Sequence, residues 1–196
     1  MPDPSRLFTI GPVRLGLLPH AGGRGEAAAR AWLAGHLGVA PAGVPLHRDA
    51  HGRPCLEGRG RDCNWSHSGD RLLVALGEGV RVGVDLELAR PRPKALEIAR
   101  RYFHADEAAT LARLSPGARD AAFLRLWCAK EAVLKAHGRG LAHGLDRFAV
   151  GGFEEADASL RLRAVDPGLA PLEAWTLADV PVPGAIAVLA WRPDPG

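Results

Sequence analysis

Cysteine is scarce and without pattern: the 196 residues contain only Cys55, Cys63 and Cys128, with no CxxC pair among them. An odd, widely spaced trio indicates neither a disulfide framework nor a zinc site, and it suits a reducing compartment. No apolar run approaches the roughly 18 residues of a membrane span. The opening stretch, MPDPSRLFTIGPVRLGLL, has no basic segment followed by an uninterrupted apolar one, so it does not read as a secretory signal. The expected location is the cytoplasm, with no membrane partner. Several chemistries lack their signatures too. There is no GxxxxGK(S/T) phosphate loop, no HExxH pair and no GxSxG elbow, and the eight histidines repeat no metal-ligand spacing. Gly77-Glu78-Gly79 runs into strand residues rather than a helix, so it is no dinucleotide fingerprint. Neither an internal repeat nor a low-complexity tract is present.

What is there is ordinary for a soluble globular chain: 47% apolar and 24% charged residues. Glycine (24) and proline (16) are plentiful, which implies many tight connections rather than disorder. The length fits one domain or two small packed halves. A net charge of +3 leaves room for an anionic ligand or an acidic partner. It is weak evidence for nucleic acid, and no nucleic-acid partner is expected.

Hydrophobic patterning predicts a strand at 12–18, a Gly-rich turn and a helix at 24–37. Strands follow at 62–67, 71–76 and 80–88, with hairpin chemistry at Gly69–Asp70 and at Gly77–Gly79. Pro91 and Pro93 interrupt both strand and helix, so 89–93 reads as a link between halves. Two long helices are expected at 94–113 and 118–137, broken at Ser115-Pro116-Gly117, and strand-like segments fill the chain from 145 onward. The expected fold class is α+β, with one half at 1–93 and the other at 94–196.

Three stretches carry chemistry. In Gly83-Val84-Asp85-Leu86-Glu87, strand alternation puts Asp85 and Glu87 on one face, their Cα atoms roughly 6.5–7 Å apart, with Val84 and Leu86 on the other. Two carboxylates without an intervening base suit Mg²⁺, which takes one or two carboxylates plus phosphate and water; a solvated strand face is the alternative. In Trp127-Cys128-Ala129-Lys130-Glu131-Ala132-Val133-Leu134-Lys135, helical spacing stacks Trp127, Glu131 and Lys135 on one side, with Lys130 beside them. Gly138-Arg139-Gly140-Leu141 follows. A carboxylate between two ammonium groups can ligate a metal while the lysines meet phosphate oxygens; the alternative is a surface ion pair. In Asn64-Trp65-Ser66-His67-Ser68-Gly69, Ser66 and His67 project to opposite faces, so they are not a nucleophile–base pair. His67 is either a donor to an anion or a structural histidine.

These stretches, in this order, resemble the signature of the 4′-phosphopantetheinyl transferase superfamily: a GxDxE strand motif, then WxxKEAxxK about forty residues on. The N-x-S-H-S-G segment, with Gly52-Arg53-Pro54 upstream, is similar to the longer type that activates surfactin synthetase. The likeness covers roughly residues 52–192. It implies a monomer of two similar-sized α+β halves related by pseudo-two-fold symmetry, with coenzyme A as co-substrate in the cleft between them. It implies that Asp85, Glu87 and Glu131 hold Mg²⁺, that His67 meets the 3′-phosphate of coenzyme A, and that Lys135 meets the pyrophosphate. Arg53 stands where the family usually carries Lys. Ser66, Lys130, Arg24 and Arg30 are further candidate coenzyme A contacts, and Glu131 and Lys135 are the candidate catalytic pair. The implied reaction moves phosphopantetheine to a serine of an apo acyl or peptidyl carrier protein and releases adenosine 3′,5′-bisphosphate. A metal-dependent phosphodiesterase or nuclease, and a binding-only module, are the rival readings of the same residues.

Overall fold

Glycine turns and period-two alternation organise the first half of the chain. β1 (Arg6–Ile10) and β2 (Val13–Pro19) form a hairpin closed by Gly11, whose φ of +54° only glycine adopts at little cost. β5 (Arg61–Ser68) and β6 (Arg71–Glu78) form a second one, closed at Gly69–Asp70 as expected. The computed structural model describes residues 6–58, 60–139, 144–164 and 166–194, so Gly140 and Leu141 lie outside the described residues. The four strands make one antiparallel sheet in the order β1-β2-β6-β5. α1 (Glu26–Leu37) covers one face of it, burying Ala29 and Leu33 against Leu72, Val74 and Leu76. β3 (Leu46–Arg48) and β4 (Pro54–Leu56) form a small ribbon.

The turn at Gly77–Gly79 does not make the expected hairpin. β6 already has β2 and β5 on its two edges, so β7 (Val80–Leu88) leaves for another sheet. There it pairs along its whole length with β11 (Ala185–Pro193), which also pairs with β10 (Thr176–Asp179). The strand that ends the first half of the chain is thus tied to the last strand of the second. Val82, Val84 and Leu86 pack with Leu15, Leu73, Ala75 and Leu189 between the two sheets. Each such fully buried aliphatic side chain contributes about 1.5–3 kcal/mol.

The expected helix 94–113 is two helices, α2 (Ala95–Tyr102) and α3 (Ala105–Arg113). The break is a capping box: His104 Nδ1 accepts from Asp106 N, while Glu107 accepts from His104 N at 3.0 Å. α4 (Pro116–His137) starts on Pro116 and ends at Gly138, whose φ is +95°. It lies on the free face of the β7–β11 sheet, burying Leu126, Ala129, Val133 and Leu134 in the largest core cluster. β8 (Ala149–Gly151) and β9 (Arg161–Ala164) form a ribbon over the same core. The result is a mixed α+β fold of helix, sheet, sheet and helix layers. Among the described residues no helix is long and apolar enough to cross a membrane.

Candidate functional site

Gly83 allows β7 and α4 to touch. A Cβ there would stand 2.1 Å from the carbonyl oxygen of Ala132 and 2.5 Å from the nitrogen of Ala136. With no side chain at 83, the next residues on that strand face, Asp85 and Glu87, are brought up to the side of α4 that carries Trp127, Glu131 and Lys135. Trp127 is fixed against Phe103 and Phe123, ring centroids 6.1 Å away in both cases.

Asp85 is 5% exposed, so this strand face is not a solvated one. Its Oδ1 accepts from Ser66 Oγ and from Lys135 Nζ, each at 2.7 Å, and its buried Oδ2 has no hydrogen-bond partner among the described residues. Lys135 Nζ also donates to the carbonyl of Val84 at 3.1 Å. Oε1 of Glu131 is the second buried carboxylate oxygen here without a partner. Burial pushes the Glu131 carboxyl above its ordinary range, the charges of Asp85 and Glu87 push it further, and Lys135 opposes them. Two bare anionic oxygens in one place are what a hard cation takes up. Glu87, on the same strand face, is engaged elsewhere: its Oε2 accepts from Arg92 Nη2 at 2.8 Å and from Ser68 Oγ at 3.1 Å. Among the described residues no three His, Cys, Asp or Glu side chains stand together as a metal cage. The structure therefore brings Asp85 and Glu131 together and leaves Glu87 with a different counter-ion.

β5 explains the serine and asparagine of its motif. Asp62, Asn64, Ser66 and Ser68 alternate toward the open edge of β7: Asp62 Oδ2 accepts from Val82 N at 2.8 Å, Asn64 Oδ1 from Val84 N at 3.1 Å, and Ser68 Oγ from Leu88 N at 3.2 Å. Ser66, 9% exposed, orients Asp85. The intervening residues Trp65 and His67 line a cleft of about 460 Å³ together with Arg24, Arg48, His51, Arg53 and Lys135, and Asn64 and Ser66 reach its wall as well. No carboxylate among the described residues lines it. His67 is exposed and its ring stacks on that of His20 with centroids 4.5 Å apart. Arg24 lines the cleft without a side-chain hydrogen bond or ion pair among the described residues, and its carbonyl accepts from Trp65 Nε1 at 3.1 Å. Arg48 donates to Glu26 Oε2 at 2.7 Å and lies over the Trp65 ring, 5.8 Å from the centroid.

Three expected ligand contacts need correction. Lys130 is fully buried: Nζ lies 2.9 Å from Glu107 Oε2 and donates to the carbonyls of Leu145 and Phe148, so it anchors the chain after α4 and cannot reach the cleft. Burial dominates the shift of each partner, raising Glu107 and lowering Lys130, while their mutual attraction opposes it. Arg53 lines the cleft but has no donor to spare. Its guanidinium bonds both oxygens of Asp62 and the carbonyls of Pro54, Val82 and Lys135, which uses all five N–H groups. That fork caps a carbonyl at the end of α4, a task a lysine ammonium does less completely. Arg30 donates to the carbonyl of Val44 at 3.0 Å and pairs with Glu26, away from the cleft lining.

Sequence reasoning missed His20, Arg48 and Asp62. The tract HRDAHGRP carries basic residues around a turn, but only the β3–β4 pairing sets Arg48, itself exposed, on the wall of the cleft.

The sequence profile described as "4'-phosphopantetheinyl transferase superfamily" matches residues 81–180. The 4′-phosphopantetheinyl transferase HetI of Nostoc sp. is 32% identical over 180 residues, 86% of this chain and 71% of its own length. A Synechocystis sp. relative is 37% identical over 123 residues, 61% of this chain and 50% of that protein. The 4′-phosphopantetheinyl transferase Sfp of Bacillus subtilis is 32% identical over 113 residues, 57% of this chain and 49% of Sfp. The chain thus spans about half the length of the last two relatives. It belongs to the 4′-phosphopantetheinyl transferase superfamily.

Proposed function

We propose that this chain transfers 4′-phosphopantetheine from coenzyme A to a serine hydroxyl of an apo acyl or peptidyl carrier protein. One observation carries the reading: two bare, buried carboxylate oxygens, on Asp85 and Glu131, lie behind Lys135, which itself lines a cleft of cations. The cleft suits a polyanion, with His67, Arg24 and Arg48 as donors to phosphate oxygens. Asp85 and Glu131, joined by Glu87, would hold Mg²⁺, which when bound supplies positive charge to a pyrophosphate. Lys135 keeps the Asp85 carboxylate in place and adds a second cation next to the phosphates.

The serine oxygen forms a bond to the β-phosphorus, the one bearing pantetheine. The bond from that phosphorus to the bridging oxygen breaks, and adenosine 3′,5′-bisphosphate leaves with the electron pair. Glu131 takes the serine proton. Without a bound cation, burial and the neighbouring carboxylates raise its affinity for a proton. The same reading has the protein working as a cytoplasmic monomer of two α+β halves, without nucleic-acid or membrane partners. The test is to mix the protein with coenzyme A, Mg²⁺ and several apo carrier proteins and weigh the carriers. A gain of one phosphopantetheine is expected. Unmodified carriers throughout, or cleavage of added DNA, would overturn the reading.

A further inference from the structure

The link between β7 and α2 delivers one side chain to the carboxylates. Arg92 stands between Pro91 and Pro93, whose rings restrict the backbone on both sides, so it is presented from a stiff strap. Its Nη2 donates to Glu87 Oε2 at 2.8 Å. This is more than a loose surface contact. The two side chains are 35% and 28% exposed, and Arg92 Nε is buried without a hydrogen-bond partner among the described residues. With Ile98, Phe123, Leu124 and Trp127 the pair walls a cavity of about 120 Å³. Apolar walls lower the local dielectric and strengthen the attraction. Glu87 meanwhile shares a strand face with Asp85, and its charge is felt at Glu131. Of the three carboxylates, it is the one that already holds a guanidinium, on the same Oε2 that accepts from Ser68.

We propose that Arg92 is the resident counter-ion of Glu87 and competes with a divalent cation for it, so that this residue sets the metal affinity of the Asp85–Glu87–Glu131 cluster. The inference rests on the metal reading above. The three carboxylates face two cations, Lys135 and Arg92. Without Arg92, two negative charges are uncompensated where one stood, and Glu87 is released as a third oxygen donor. A long arginine on a strap can swing out as metal arrives, so binding has to displace it rather than find an open cage.

The experiment is a titration with Mn²⁺ alone, free metal being read by electron paramagnetic resonance, with no coenzyme A and no turnover. Arg92→Gln keeps the length of the side chain and removes its charge, and should tighten Mn²⁺ by about three- to tenfold. Arg92→Ala should do the same; if it unfolds, as judged by its melting curve, the Gln variant decides. In a Glu87→Gln background the gain from Arg92→Gln should fall below about twofold, because no carboxylate is then withheld. Unchanged or weaker Mn²⁺ binding by a folded Arg92→Gln overturns the inference alone. Failure of wild type to bind Mn²⁺ at all overturns the metal reading together with it.

Discussion

Lys135 Nζ donates to Oδ1 of Asp85 at 2.7 Å, joining α4 to β7. Ser66 Oγ donates to that same oxygen, so one side of the carboxylate is saturated while Oδ2 is buried and bare. The asymmetry orients the free oxygen and gives a first prediction. Asp85→Asn keeps the shape but not the charge, so transfer and Mn²⁺ binding should both be lost. Melting should also fall, by about 1–3 kcal/mol, because the charged bond from Lys135 is weakened. Near-full activity in limiting Mg²⁺ would take Asp85 out of the site.

The period-two and period-3.6 patterns made this cluster legible: Asp85 and Glu87 share a strand face, and Trp127, Glu131 and Lys135 share a helix face. The charges at 53 and 130 misled, because a basic residue in a motif reads as a ligand contact until its partner is known. Asp62 and Glu107 are those partners, supplied by chain folding rather than local pattern. The α2–α3 break was hidden because its cap is His104 rather than Ser, Thr, Asp or Asn. The Gly77–Gly79 turn looked like a hairpin since sequence shows the turn but not that both edges of β6 are taken.

His67 tests the cleft. If its imidazole donates to the 3′-phosphate, His67→Ala should weaken coenzyme A by about 1.5–3 kcal/mol and spare 3′-dephospho-coenzyme A. Calorimetric titration with both nucleotides separates the cases. Equal losses would leave His67 as a stacking partner of His20 and nothing more.

The carrier is expected to be acidic, and Arg90, Lys94, Arg100 and Arg101 are exposed around α2 beside Tyr102, which is 47% exposed. Arg100→Glu with Arg101→Glu should raise the carrier KM and flatten its salt dependence while the coenzyme A KM holds. Arg92 is excluded from this set because it already pairs with Glu87. A carrier KM that does not move would return α2 to an ordinary solvated face.

Lys130 separates fold from chemistry inside one motif. Lys130→Met leaves Glu107 as an uncompensated buried charge, at a cost of about 3–5 kcal/mol. Adding Glu107→Leu should recover much of that loss, because a buried ion pair is replaceable by apolar packing once both partners go. Denaturant melts of the single and double variants check this. Equal stability of wild type and Lys130→Met would mean the pair contributes nothing to the fold.

Its neighbour should behave in the opposite way. Glu131→Gln preserves the side-chain shape but removes the charge and the basicity, so kcat should fall by about 10²–10⁴. Raising Mg²⁺ should recover only the share of the loss due to ligation. Stability should move in the other direction. Burial and the Asp85 charge raise the Glu131 pKa above the ordinary value of 4.5, so the folded state binds its proton more tightly than the unfolded state does. Stability therefore declines as pH rises from 4.5 through the raised value, and the deficit is fully present above it. The glutamine variant has no such deficit. Without divalent cation it should melt at or above the wild-type temperature at neutral pH, with the gap closing as pH falls below 4.5. Added Mg²⁺ should stabilise wild type more than the variant. Complete rescue of kcat at high Mg²⁺ would confine Glu131 to ligation, and an unimpaired variant would remove the main support for the proposed reaction.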